Sequence, residues 1–69
     1  METIVLREDF IKLGQALKAA GLVESGVEAK IEIQEGNVLV NDEVETRRGR
    51  KLYDKDVVKF NGETIKIEK

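Results

Sequence analysis

SGVEAKIEIQEGNVLVND, residues 25–42, holds a helix start, a short helix, a stop, a strand and a turn. Ser25 and Glu28 have capping-box spacing: a serine at the N-cap accepts from the backbone N–H three residues on, and the glutamate reaches back. Val27 and Ile31 lie four apart, as do Ala29 and Ile33, so the segment can carry an apolar face at helical period. Gly36 is expected to end the helix, because glycine takes the left-handed conformation at a helix C-terminus without steric cost. Val38-Leu39-Val40 then reads as a strand and Asn41-Asp42 as a turn.

On the N-terminal side, Thr3-Ile4-Val5-Leu6 is a β-branched, apolar run and reads as a strand. Arg7-Glu8-Asp9 breaks it, and from Phe10 the period changes. Leu13 and Leu17, with Ala16 and Ala20 beside them, suit a short amphipathic helix that stops at Gly21. Gly14 weakens that helix by about 1 kcal/mol relative to alanine, which is offset where close packing is needed. So short a link to Ser25 makes the two helices share one apolar seam.

On the C-terminal side, Asn41-Asp42 permits a tight reversal into Glu43-Val44-Glu45-Thr46, and Asp54-Lys55-Asp56 is turn-like. Val57–Phe60 and Glu63–Ile67 flank Asn61-Gly62, a strong two-residue hairpin signal. That loop pairs Phe60 with Glu63 and Val58 with Ile65. It puts Val58, Phe60, Ile65 and Ile67 on one face and Lys59, Thr64 and Lys66 on the other.

Sixty-nine residues suffice for one small domain, expected to span 1–69. The chain has no cysteine and no histidine, so disulfides, thiolate zinc sites and imidazole catalysis are all unavailable to it. No apolar run approaches the roughly 20 residues that span a bilayer. METIVLRED is too short and too charged for a signal peptide, so a cytoplasmic location without membrane attachment is expected. Ser25 lacks a base to activate it, and its capping role explains it. Glu43 and Glu45 alternate along the expected strand and so share a face. Two carboxylates could bind a metal or divide acid and base roles, but a solvated strand face is the expectation. There is no P-loop and no dinucleotide glycine motif. The expectation is a protein that is not an enzyme and uses no cofactor or metal.

The net charge of −2 is unevenly spread. Residues 1–36 carry four basic and seven acidic side chains, net −3; residues 37–69 carry eight and seven, net +1. Arg47, Arg48, Arg50 and Lys51 fall within five positions. Arginine forks bind phosphate bidentately, Gly49 lets the backbone come close, and Tyr53 could stack on an unpaired base. A solvated basic loop, balanced by the surrounding acids, is the other reading of the same run.

Taken together, Lys12-Leu13, Gln15-Ala16-Leu17, Ala20-Gly21-Leu22, Ser25, Glu28-Ala29-Lys30, Glu35-Gly36, Val38, Val40-Asn41 and Asp56-Val57-Val58 resemble the S4 RNA-binding domain. RRGRKL, residues 47–52, is similar to the short stand-alone bacterial members of that family. The likeness implies an α+β, S4-like (alpha-L) fold, with two short helices packed against a small, mostly antiparallel sheet. It also implies that the helices and the following strand-loop bind structured RNA by backbone and shape. By position, Lys12 opens the first helix, Lys30 lies on the second, and Arg47, Arg48, Arg50 and Lys51 line the loop. With Tyr53 these are the expected RNA-binding residues. Gly26 stands where many S4 domains have arginine, Gly14 where they have aspartate, and Glu32 where many have a large apolar residue. The expected partner is structured RNA, ribosomal or transfer RNA, bound by a monomer. The alternative is a protein-interaction adaptor on the same scaffold with little RNA affinity.

Overall fold

In the computed structural model, which describes residues 2–69, two turns of the same chemistry set the sheet. Asn61 and Gly62 have φ of 50° and 80°, and Asn41 and Asp42 have φ of 51° and 68°. Two consecutive positive φ values match the twist of flanking strands, which is why asparagine, aspartate and glycine occupy these corners. The first turn joins β6 (Val57–Phe60) to β7 (Glu63–Glu68), pairing Phe60 with Glu63 and Val58 with Ile65, the register read from the sequence. The second joins β3 (Val38–Val40) to β4 (Glu43–Val44). β3 also pairs antiparallel with β6, and β1 (Glu2–Val5) runs parallel to β7 at the far edge, giving the order β1-β7-β6-β3-β4.

Two helices cover one side of this sheet. α1 (Leu13–Ala19) buries Leu13, Ala16 and Leu17, and turns off at Gly21, whose φ is 73°. α2 (Gly26–Gln34) starts on the Ser25 cap, where the hydroxyl accepts from the Glu28 N–H at 3.1 Å, and Gly36 follows its end with φ of 81°. The inward side chains of both helices meet Val38, Val40, Val58, Ile65 and Ile67 in one core that also holds Leu52 and Val23. The whole is α+β, with two short helices on a mostly antiparallel sheet.

Several expectations need correction. Only one of the two apolar pairs on α2 goes inward: Ala29 and Ile33 are buried, whereas Val27 and Ile31 are 68% and 51% exposed. The two pairs lie on different sides of the helix, and α1 and the shared core can cover only one. Phe60 packs at the edge of the core and is half-buried, unlike Val58, Ile65 and Ile67. The strand after Asn41-Asp42 ends at Val44 rather than continuing to Thr46. A second, two-stranded ladder also forms between β2 (Ile11–Lys12) and β5 (Lys51–Leu52), with Ile11 opposite Leu52. It buries Leu52 and fastens the end of the basic cluster to the start of α1.

Ile65→Ala removes a fully buried side chain between sheet and helices and is expected to destabilise by about 3 kcal/mol. Phe60→Ala, at the half-buried rim, should cost less. On a chain of this size the first change lowers Tm by more than about 10 °C. Thermal unfolding checks both, and an Ile65→Ala protein melting within a degree or two of the parent would contradict the packing.

Candidate functional site

The chain after β4 folds around a carboxylate. Glu45 donates its N–H to the Val38 carbonyl at 3.0 Å, and its side chain then turns inward. Glu45 is the one charged residue buried among the described residues, at 6% exposure. A buried charge is tolerated only when it is paired and hydrogen-bonded. Here Oε2 accepts from the Thr46 N–H, the Arg47 N–H and Arg47 Nε, each at 3.0 Å. Oε1 accepts from Arg47 Nη2 at 3.0 Å and Arg50 Nη1 at 3.1 Å. The Arg47 side-chain hydrogen bonds are the largest cause holding the Glu45 pKa at about 2, below its ordinary 4.5. Burial opposes them, and the Arg47 N–H and the Arg50 guanidinium add to them. This corrects the reading of Glu43 and Glu45 as one solvated face. Glu43 is exposed, but the strand ends at Val44 and the next carboxylate becomes the centre of the loop.

The outer side of the loop is fastened to α1. Backbone N–H groups in the first turn of a helix lack partners within the helix. Those of Leu13 and Gly14 donate to the carbonyls of Arg50 and Arg48, at 2.8 and 3.0 Å. A Cβ on Gly14 would lie 2.8 Å from Arg48 Cγ, so a residue without a side chain lets Arg48 lie across the helix start. Gln15 Oε1 accepts from the Lys12 N–H at 3.3 Å and closes the same corner.

Two open depressions flank the loop. The first, about 390 Å³, is lined by the cations Lys12, Lys18 and Arg48, by Gln15, and by Gly14, Gly26 and Gly49, with no acid in its lining. The second holds Arg47, Arg50, Lys51, Tyr53 and Asp56 and shares Gly49 with the first, so the two are neighbours across that glycine. Lys51 Nζ stands 4.7 Å over the Phe10 ring, and the rings of Phe10 and Tyr53 are 6.1 Å apart and tilted by 52°. Tyr53 still leaves about half its surface, 49%, exposed. Asp56 Oδ2 accepts from the Tyr53 N–H at 2.8 Å and fixes the turn beneath it.

Of the residues expected from the sequence, Lys12 and Arg48 share the first depression, and Arg47, Arg50, Lys51 and Tyr53 share the second. Lys30 lines neither. It is exposed one helical turn beyond Gly26 and so continues that flank of α2. Sequence reasoning missed two participants. Lys18 lies one turn after Gly14, a spacing that could have placed it. Glu45 lies two residues before Arg47 and five before Arg50, a spacing that suits a carboxylate serving both. Among the described residues, no group of three or more acidic, histidine or cysteine side chains could hold a metal ion. No helix among them is long and apolar enough to cross a membrane.

The S4 domain family model matches residues 4–68. The chain is 51% identical over 59 residues to a Bacillus subtilis (strain 168) protein named "Probable ribosome maturation protein RlbA", covering 86% of this chain and 83% of that one. It is 40% identical over 57 residues to YbcJ of Escherichia coli (strain K12), covering 83% and 81%. The solution structure of YbcJ, described as revealing an "alfaL motif involved in RNA-binding", matches at a TM-score of 0.77 with 37% identity. That match covers 100% of this chain and 89% of YbcJ.

A carboxylate whose pKa is depressed on folding stabilises the folded state fully above its unfolded pKa, and this contribution fades as pH falls through the folded value. The stability difference between the parent and Glu45→Gln should therefore be constant above pH 4.5 and shrink as pH falls towards about 2. Denaturant unfolding at a series of pH values checks this, and a gap independent of pH over that window would contradict it.

Proposed function

Since the chain belongs to the S4 domain family, we propose that it is a non-catalytic, single-domain RNA-binding protein, residues 1–69, that grips structured RNA through the start of α1, the flank of α2 and the loop between β4 and β5. The supporting observation is the first depression, where Lys12, Lys18 and Arg48 converge without an acid on a molecule of net charge −2. Cations there neutralise phosphates and release condensed counterions. A-form RNA offers a wide, shallow minor groove, so recognition runs through shape, phosphates and 2′-hydroxyls. Arg47, Arg50, Lys51 and Lys30 extend the contact on either side, and Tyr53 offers a half-exposed ring on which an unpaired base can stack.

The RNA we assign is ribosomal, supported by the likeness to a protein whose name speaks of ribosome maturation. The working form is a monomer in the cytoplasm. A second reading has one observation in its favour: Val27 and Ile31 stand exposed on the outer face of α2, as an adaptor surface for another protein would require.

Binding should be mainly electrostatic. With four to six phosphates engaged, the log–log salt slope is expected at roughly −4 to −5, taking about 0.9 per contact. Lys12→Ala combined with Arg48→Ala should flatten it by about 2 and weaken all RNA sequences alike, because phosphate contacts carry no sequence information. Anisotropy titrations over a salt series decide it. A double variant that binds as tightly as the parent, with the same slope, would favour the adaptor reading.

A further inference from the structure

We propose that Glu45 is the positioning residue of this RNA-binding face: its buried carboxylate sets where Arg48 and the neighbouring cations stand, so removing this negative charge weakens binding to a polyanion. The inference rests on the RNA-binding reading above and makes a prediction opposite in sign to simple Coulomb reasoning.

A carboxylate beside a phosphate-binding surface repels the ligand and neutralises nearby arginines. On charge alone, Glu45 is a defect. Its geometry gives it another role. The loop is closed from two sides. Inside, the Thr46 and Arg47 N–H groups and the side chains of Arg47 and Arg50 all donate to the one carboxylate. Outside, the carbonyls of Arg48 and Arg50 accept from the first turn of α1. Glu45 engages the side chains on both sides of Arg48 and leaves that of Arg48 to the depression it shares with Lys12 and Lys18. Four cations in five positions repel one another. Without an anion inside, such a loop gains by spreading, and Arg48 leaves the helix start. Arg47 stays largely exposed, its side chain at 75%, so its bond to Glu45 does not withdraw it from solvent.

An isosteric amide at this position cannot serve. In Glu45→Gln the new side chain would turn an N–H₂ group towards donors that now meet oxygen, and like donors cannot pair. Glu45→Asp keeps the charge and shortens the reach, separating geometry from electrostatics.

The test measures the parent, Glu45→Gln, Glu45→Asp, Arg48→Ala and Glu45→Gln combined with Arg48→Ala, using anisotropy on a base-paired RNA hairpin over a salt series. Amide hydrogen exchange is followed at Gly14 and Arg47. Both single changes at Glu45 should weaken binding roughly tenfold and flatten the salt slope by about 1 to 2, as for loss of one or two phosphate contacts. The Gly14 and Arg47 amides should exchange faster while the β6–β7 amides stay protected. Arg48→Ala should cost much less affinity in the Glu45→Gln background than in the parent, the non-additivity expected of residues acting as one unit. A general loss of structure would mask Arg48→Ala in the same way, so the coupling counts for the proposal only where the β6–β7 amides stay protected. Glu45→Gln that binds as tightly as the parent or tighter, or additive losses, would overturn the proposal. So would global unfolding of both Glu45 variants, which would make Glu45 a residue of the fold alone. A parent that binds no RNA would overturn the functional reading instead. In that case the exchange rates at Gly14 and Arg47 still decide whether Glu45 orders the loop.

Discussion

The Glu45 carboxylate is the constraint on which the candidate site depends. A loop containing three arginines and a lysine repels itself and has no apolar residues with which to pack. One buried acid with five donors converts that repulsion into a fixed geometry. Burying a charge carries a large desolvation penalty, and it is tolerated here because both carboxylate oxygens are saturated by charged and backbone donors. The loop is then specified from within and also sutured to the first turn of α1. Removing either set of contacts would leave the other holding a frayed segment.

The rest of the fold puts that carboxylate in place. Asn41-Asp42 returns the chain alongside β3, and the Glu45 N–H bonded to Val38 carries the pairing one residue past β4. β3 is itself held by β6, and β6 by the Asn61-Gly62 hairpin, so the sheet fixes the height at which Glu45 enters. On the other flank, the short β2–β5 ladder returns the chain to the helix start and buries Leu52. Only then do Lys12 and Lys18 from α1 share a depression with Arg48, with Gly26 at the start of α2 beside them.

What can be read from the sequence follows the range of the interactions. The Asn61-Gly62 hairpin, its register and the Ser25 hydroxyl cap depend on neighbours in the chain and are present as expected, whereas the return bond expected from Glu28 does not form and only the serine half of that capping box is made. The inward helix residues Leu13, Ala16 and Leu17 are legible through their spacing. α2 is harder because it carries two apolar pairs, and only its packing against α1 and the shared core decides that Ala29 and Ile33 go in. The β2–β5 ladder joins segments of two residues about forty positions apart, with no local signal strong enough to find it. Alternation misplaces Glu45 because it extends a strand period beyond the point where the strand ends. Its partners, two and five residues downstream, look like free cations in the sequence and are the donors that bury it. For the site, the sequence locates the cationic types but not which of them the fold engages internally.

Two faces of this domain compete for the functional assignment: the cationic corner around Arg48 and the outer side of α2 bearing Val27 and Ile31. They lie on different flanks of α2, so a residue-resolved map of the bound surface separates them. The most direct measurement is an amide chemical-shift titration of the labelled protein with structured ribosomal RNA at low salt. Perturbations are expected to concentrate at Lys12–Lys18, Gly26, Lys30 and Arg47–Tyr53, with Val27, Ile31 and Glu35 little changed. Shifts centred on Val27 and Ile31, or a spectrum unmoved by RNA, would contradict that expectation.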